Sequence, residues 1–416
     1  MSHIEIMPII PFDDGLAAGK ATGATAVRTG IDALMQDRYL RDTFGQMSRA
    51  ELYRQVMARL ETPPDYGRYP ELADIYPEAL EALRGFAQGA ECTLEEAATL
   101  DYLRYKQNIE AWHDGLQPHP EEHCSGILLI GPDGVLGGKS HETVVEPKPP
   151  NYRWRKPQPY GGLKQRKTQT PALVLRKPRT GYIEEWGTTN EYGVGCLASV
   201  SCSTWLDDPI EDTWPIKGFP VLRFAQTAAQ AAELFNRYTL YIWGRASQVW
   251  ADISGDGFIL EKSFRRAGIR RVGRDGVLWC TEGHFEHPEM FAFIRERRVK
   301  YLELMGRHAG VGDMQYAADC NVRFTHMGEL CHEAWGKGYE HMRRILTDHA
   351  PFPRAVCRHN GPDTDPYDVT VTNSSHFMDI THNRVYARAW IPWEKFPCQM
   401  PEEVEQFPLR PADCDT

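Results

Sequence analysis

The hydrophobic rhythm of the chain changes at Cys124. As far as about residue 113, apolar residues recur at helical spacing, as at Leu52, Val56, Met57 and Leu60. From Ile127-Leu128-Leu129-Ile130 onward, short apolar runs separated by turn signals take over, the pattern of strands. The first run folds back on itself. Gly131 to Gly134 makes a turn, and Val135-Leu136-Gly137-Gly138 leads to the polar cluster Lys139-Ser140-His141-Glu142. This predicts a β-hairpin with a thiol at its entrance and charged groups on the returning strand.

The same signals predict strands at Ala172–Arg176, Tyr182–Glu185, Val194–Ser199, Ser247–Ile253, Gly257–Glu261, Asp368–Thr372 and Arg384–Trp390. Helices are expected at Leu222–Tyr238, Met290–Met305 and Tyr339–Leu346. Strands bracketed by helices imply an α/β layered domain. Nearer the N-terminus, residues 4–12 read as a strand and Gly15 to Gly23 as a small-residue turn. Thr93-Leu94-Glu95-Glu96 has the form of a capping box, opening a helix through Tyr105. Trp112 to Glu122 is polar and contains proline, so an exposed connector is expected to end at Cys124.

The 416 residues carry a net charge of −10, with 42% hydrophobic and 25% charged residues, which allows a sizeable core. The acidic balance argues against nucleic acid as a partner, because that needs a basic face. No apolar run is long enough to span a bilayer, so no membrane partner is expected. Met1 to Glu5 lacks the charged and apolar regions of a secretory signal, and the ten cysteines have irregular spacing without a CxxC pair. Both point to reduced thiols and a cytoplasmic location. Fifteen histidines invite a metal, but the usual ligand spacings are missing, so no metal is expected.

Cys124 has two readings from the residues alone. Free cysteine is among the most buried residue types, so it is at home in a core. It is also a nucleophile when a base or cation is near. Lys139 and Glu142, 15 and 18 residues downstream, are the groups the hairpin could bring to it.

The hairpin and its polar cluster resemble the N-terminal-nucleophile (Ntn) cysteine hydrolases of the acyl-CoA:6-aminopenicillanic acid acyltransferase type. Four further stretches agree in order. Thr189-Asn190-Glu191-Tyr192-Gly193-Val194 is similar to the family's Asn-Glu-x-Gly turn, and Pro220-Val221-Leu222-Arg223 to the start of its helix after the central strands. Trp250-Ala251-Asp252-Ile253-Ser254-Gly255-Asp256 is similar to its Ala-Asp-x-x-Gly hairpin, and Cys280-Thr281-Glu282-Gly283-His284-Phe285 to its Thr-Asn-His-Phe loop.

The resemblance implies a four-layer αββα sandwich formed by residues 124–416, with residues 1–123 as a helical pro-segment or α-subunit packed on it. It implies cleavage at His123-Cys124, after which the free α-amine of Cys124 serves as base for its own thiol. An α-amine titrates near ~8 and a thiol near ~8.5, so proton transfer between them costs little. It further implies that Glu142 orients the α-ammonium, that Lys139 favours the thiolate, and that Ser374 lines the pocket. Glu282-Gly283 stands where the family has the asparagine that donates to the oxyanion. An ionised glutamate cannot donate, so His284 or backbone amides near Gly283 would take that role. Asn190 is expected to cap a turn.

Residues 147–180 form a basic insert: from Glu146 to Glu184 there are ten Lys and Arg and no intervening acid. It reads either as a solvated arm that makes a homo-oligomer contact, or as a clamp in which Arg153, Arg155 and Lys156 hold an anionic substrate. The function these observations imply is that of a cysteine amidohydrolase or acyltransferase. Its partner would be a small acylated molecule, and the chemistry calls for no cofactor. Two rival readings stand beside it. One is an uncleaved, non-catalytic binding protein on the same fold. The other is an uncleaved hydrolase in which His141 or His284 is the base.

Overall fold

The computed structural model describes residues 7–9, 11–62, 71–113, 123–132, 134–144, 164–166, 172–179, 182–190, 192–201, 214–215, 221, 225–237, 246–262, 266–272, 276–281, 284–293, 313–334, 338–352, 354–359, 370–382, 384–389, 397–399 and 402–406. After strand β1 (Met7–Ile9) come six helices: α1 (Pro11–Thr22), α2 (Ala24–Met35), α3 (Arg38–Phe44), α4 (Arg49–Glu61), α5 (Glu71–Ala90) and α6 (Leu94–His113). The change of rhythm at Cys124 is real, since β2 (His123–Gly131) and β3 (Gly134–Val144) follow as an antiparallel hairpin.

Glycine placement corrects the reading of residues 15–23. They are not a turn but most of α1, which starts with Pro11 in its first turn, where a missing N–H is harmless. A Cβ on Gly15 or Gly19 would overlap the carbonyl oxygens of Ala82 and Phe86, and one on Gly85 or Gly89 those of Phe12 and Leu16. Small residues four apart on both α1 and α5 let the two backbones touch. Only Gly23 turns the chain, at φ 75°, between α1 and α2.

The capping box forms as expected. Thr93 Oγ1 accepts from the Glu96 amide at 3.2 Å, and the Glu96 carboxylate accepts from the Thr93 amide at 3.1 Å. Arg28 of α2 closes on the same carboxylate at 2.7 Å. Its guanidinium holds the Glu96 carboxyl below the usual carboxylate range. A depressed folded value gives stability that is present above the unfolded pKa and lost as pH falls through the folded one. Glu96→Gln keeps the cap but loses the charge pair with a half-exposed Arg28, so a small loss of stability is expected at neutral pH. The difference from wild type should shrink as both proteins are acidified below about pH 4. Denaturant melts over a pH series measure this, and a gap that persists in acid would assign the effect to shape rather than charge.

The remaining strands complete two sheets. β4 (Lys164–Arg166), β5 (Ala172–Arg179), β6 (Tyr182–Asn190), β7 (Val194–Ser201), β8 (Ala246–Asp252), β9 (Gly257–Lys262) and β10 (Ala267–Val272) join β1 in the order β1-β4-β5-β6-β7-β8-β9-β10. β11 (Gly276–Thr281), β12 (Thr370–Asp379), β13 (Arg384–Ala389) and β14 (Glu403–Gln406) join the hairpin in the order β11-β2-β3-β12-β13-β14. The later half of the basic insert carries β4 and the strand expected from Ala172, and these extend the first sheet toward β1.

The sheets pack face to face, β2 and β3 over β7 and β8. Between them lie Leu128, Ile130, Val135, Leu197, Ala198, Val249 and Ile259. Helix α7 (Ala228–Arg237) covers the outer face of the first sheet, where Phe235 meets Trp250 edge-on at 4.9 Å. Helices α8 (Asp313–Ala334) and α9 (Gly338–Leu346) cover the outer face of the second through Met327, Leu330, Met342 and Ile345. The result is the four-layer αββα sandwich that the resemblance implied. Trp214 sits in the apolar cluster of the N-terminal helices and donates to Asp101 at 2.8 Å, and Tyr76 of α5 joins the cluster under α7.

Two helix expectations change. In the one expected at Leu222–Tyr238, residues 225–227 are not helical and α7 starts at Ala228, after Thr227 Oγ1 accepts from the Gln230 amide, while residues 222–224 and 238 lie outside the described residues. The one at Met290–Met305 is helical over 288–293, and its remainder lies outside the described residues.

Candidate active site

Register decides which side chains meet. Residues opposite each other in an antiparallel pair share a face, and alternate residues face opposite ways. Cys124 pairs with His141 and Gly126 with Lys139. On the other side of β3, His141 pairs with Ser374 and Lys139 with His376. The face is fixed by neighbours of known direction: a Cβ on Gly126 would meet Cys280 Sγ at 2.8 Å and Val200 at 3.0 Å, both between the sheets. Cys124, His141 and Ser374 thus form one lateral row across three strands, on the face toward the first sheet. Lys139 and His376 form the next row. All five are buried, Cys124 to 1% exposure and His141 to 1%.

Ser374 reaches that face because of a β-bulge. The register shifts between Thr372 and Ser374, so these two residues, which in a regular strand would share a face, point to opposite ones. Thr372 lies opposite Glu142, and its hydroxyl accepts from the Arg358 amide at 2.8 Å.

Glu142 does not join the thiol. It pairs with His123, one residue out of phase with Cys124, and therefore faces the helices. There it accepts from Ser140 Oγ at 2.7 Å and lies 3.9 Å from Arg323 of α8, with both charged groups buried. The sequence places Lys139 and Glu142 in one cluster, and the period-two pleat separates them. His284 is also engaged elsewhere. Its ring stacks on Phe324 of α8 with centroids 3.8 Å apart, and Nε2 lies 2.6 Å from Glu286. Glu261, buried and ion-paired to Arg270, accepts from the amides of Glu286 and His287 and so fixes this loop. Glu282 and Gly283, and likewise Arg153, Arg155 and Lys156, lie outside the described residues.

The other motif residues are structural supports. Asn190 Oδ1 accepts from the amides of Tyr192 and Val194, and its Nδ2 donates to the Ala225 carbonyl at 2.6 Å, as expected of a turn cap. Asp252 accepts from the amide of Ala228 at the start of α7 and from Ser254 in the β8–β9 turn. His141 is the site residue that the sequence reading under-weighted. The signal was present, because pairing Gly131 with Gly134 sets Cys124 opposite His141. The described residues also include side chains able to converge on a metal ion: His349, Cys357, His359 and Cys398, beside the start of β12.

Fold and site together define a class: an αββα sandwich with a thiol and an imidazole paired on its inner strands. No protein-family model matches the sequence, and no curated protein matches it. Among solved structures, a point mutant of the conjugated bile acid hydrolase from Clostridium perfringens is 12% identical, with 69% of this chain and 98% of that one covered and a TM-score of 0.33. Penicillin V acylase from Agrobacterium tumefaciens is 12% identical, with 69% and 88% covered and a TM-score of 0.39. Likenesses of this degree assign no chemistry to the residues of this chain. Among the described residues, no helix is long and apolar enough to cross a membrane.

Proposed function

We propose that the protein is a cysteine amidohydrolase or acyltransferase that holds its acyl group on Cys124. The observation that carries this reading is the lateral row of Cys124, His141 and Ser374, with Lys139 in the next row, on the inner face of the sandwich. A cation two residues along the same face favours thiolate over thiol. The order of the motifs supports maturation by cleavage at His123-Cys124. In that step the thiol attacks the His123 carbonyl and the peptide becomes a thioester with a free α-amine. Water then releases the carboxylate and restores the thiol. The 1% exposure of Cys124 in the intact chain supports a step that opens the site before substrate enters.

A second reading follows from the pairing itself. With His141 directly opposite, Cys124 has an imidazole at hand and would need no free α-amine. Intact-mass analysis separates the two. The purified chain, taken alone and after acid quench with acyl thioesters and N-acyl amides, should show two fragments meeting at His123 and Cys124, with the acyl adduct on the second. An uncut chain that carries the adduct would favour His141 as base. An uncut chain that carries none, and turns over nothing, would leave a binding protein on this fold.

A further inference from the structure

We infer that His349, Cys357, His359 and Cys398 form a structural zinc site. One donor atom from each residue lies within 4.8 Å of every other. His359 Nε2 is 3.2 Å from Cys398 Sγ and 3.6 Å from Cys357 Sγ. The rings of His349 and His359 lie 4.6 Å apart. With zinc bonds of about 2.3 Å to sulfur and about 2.0 Å to nitrogen, a tetrahedron places sulfur and nitrogen about 3.5 Å apart. The two sulfur–nitrogen spacings at His359 bracket that value, and the remaining donors, all within 4.8 Å, need only small side-chain rotations to close on an ion.

The four donors come from three segments, and backbone bonds or packing hold each in place. His349 follows the end of α9, where the Asp348 amide donates to the Ile345 carbonyl at 3.2 Å. Cys357 is joined to the same place, its amide donating to the Asp348 carbonyl at 2.9 Å. Arg358 and His359 lie along β12: the Thr372 amide donates to the Arg358 carbonyl at 3.0 Å, and His359 bridges to Val371. Cys398 arrives from the short 3-10 turn Pro397–Gln399, which packs on β12 and β13. Local sequence alone would not bring Cys398 to a partner 39 residues upstream.

The chemistry of the set selects the ion. Two thiolates with two imidazoles favour zinc over the harder cations that prefer oxygen. Four protein ligands close the tetrahedron and leave no position for water, which marks a structural rather than a catalytic site. A Cys357–Cys398 disulfide would account for the two sulfurs but not for two imidazoles turned toward them. The ion would tie helix α9 to β12 and to the C-terminal turn. This inference does not rest on the activity of Cys124.

The test uses the full chain, purified without chelator. Elemental analysis should find one zinc per chain, and Cys398→Ser and His359→Asn should each lose it on gel filtration. Cys124→Ala should keep it. Chelation should lower the melting temperature of the wild type, and added zinc should restore it. Cobalt in place of zinc should show thiolate charge-transfer bands and the intense visible bands of a tetrahedral ion. Where a variant fails to fold, chelation and cobalt spectra of the wild type still decide. A chain that binds no zinc or cobalt overturns the inference, as does zinc retained in both variants. So does an intact mass two hydrogens lighter that maps to a Cys357–Cys398 disulfide.

Discussion

Replacing Cys124 with alanine is expected to lower turnover by on the order of 10⁴-fold or more, because a nucleophile has no substitute in covalent catalysis. At about 1.4 kcal/mol per decade, that is more than about 5 kcal/mol of barrier. The fold should survive, since alanine removes only a sulfur from a cluster built by Leu128, Ile130, Leu197 and Val249. Stability should therefore change by no more than about 1.5 kcal/mol. The same variant should remain one chain of 47.4 kDa if the wild type matures by its own thiol. His141→Ala then distinguishes the base. A loss comparable to that of Cys124→Ala assigns proton transfer to the imidazole, whereas a modest loss leaves it with the α-amine. If Cys124→Ala turns substrate over at the wild-type rate, the site has been placed wrongly.

The second large effect concerns stability and has a sign that decides it. In an isolated helix, replacing Gly85 and Gly89 with alanine would stabilise by about 1 kcal/mol per residue. In this protein each new methyl would meet the backbone of α1, at the Phe12 and Leu16 carbonyls. A main-chain oxygen cannot rotate aside as the tip of a side chain can, so the helices must separate. Overpacking of this kind costs about 1–3 kcal/mol per site, and more where nothing yields. Gly85→Ala/Gly89→Ala is expected to destabilise by about 2 kcal/mol or more net, read as a lower denaturant midpoint. An unchanged or raised midpoint would mean that α1 and α5 do not touch through these glycines.

Those glycines show what a sequence hides. A cluster of small residues between Gly15 and Gly23 has the composition of a turn, and only the partner helix reveals it as a packing surface. The hairpin was legible because all its signals are local: two apolar runs, a glycine-bounded turn and a polar return. The capping box was legible for the same reason. Helix α8 was not read, although Phe324, Met327, Cys331 and Ala334 recur at helical spacing, because histidines, a cysteine and Gly328 interrupt the pattern. The residue types around Cys124 were visible, but their sidedness depends on register. A shift of one position decides whether Lys139 or Glu142 shares the thiol's face. The four metal-competent residues were invisible for another reason, since their convergence is made by β12, α9 and the C-terminal turn together.

The bulge between Thr372 and Ser374 acts as a phase shifter in a strand that serves two compartments. Upstream of it, Thr372 holds the segment carrying Cys357 and His359; downstream, Ser374 completes the row with Cys124 and His141. The extra residue lets Thr372 and Ser374 stand opposite the adjacent residues Glu142 and His141. Removing residue 373 would leave those two pairings in a regular strand, whereas inserting one more residue there would shift either the serine out of the thiol's row or the threonine off its tether. The two halves of β12 are thus arithmetically linked, and an insertion at residue 373 should be tolerated far less well than its deletion.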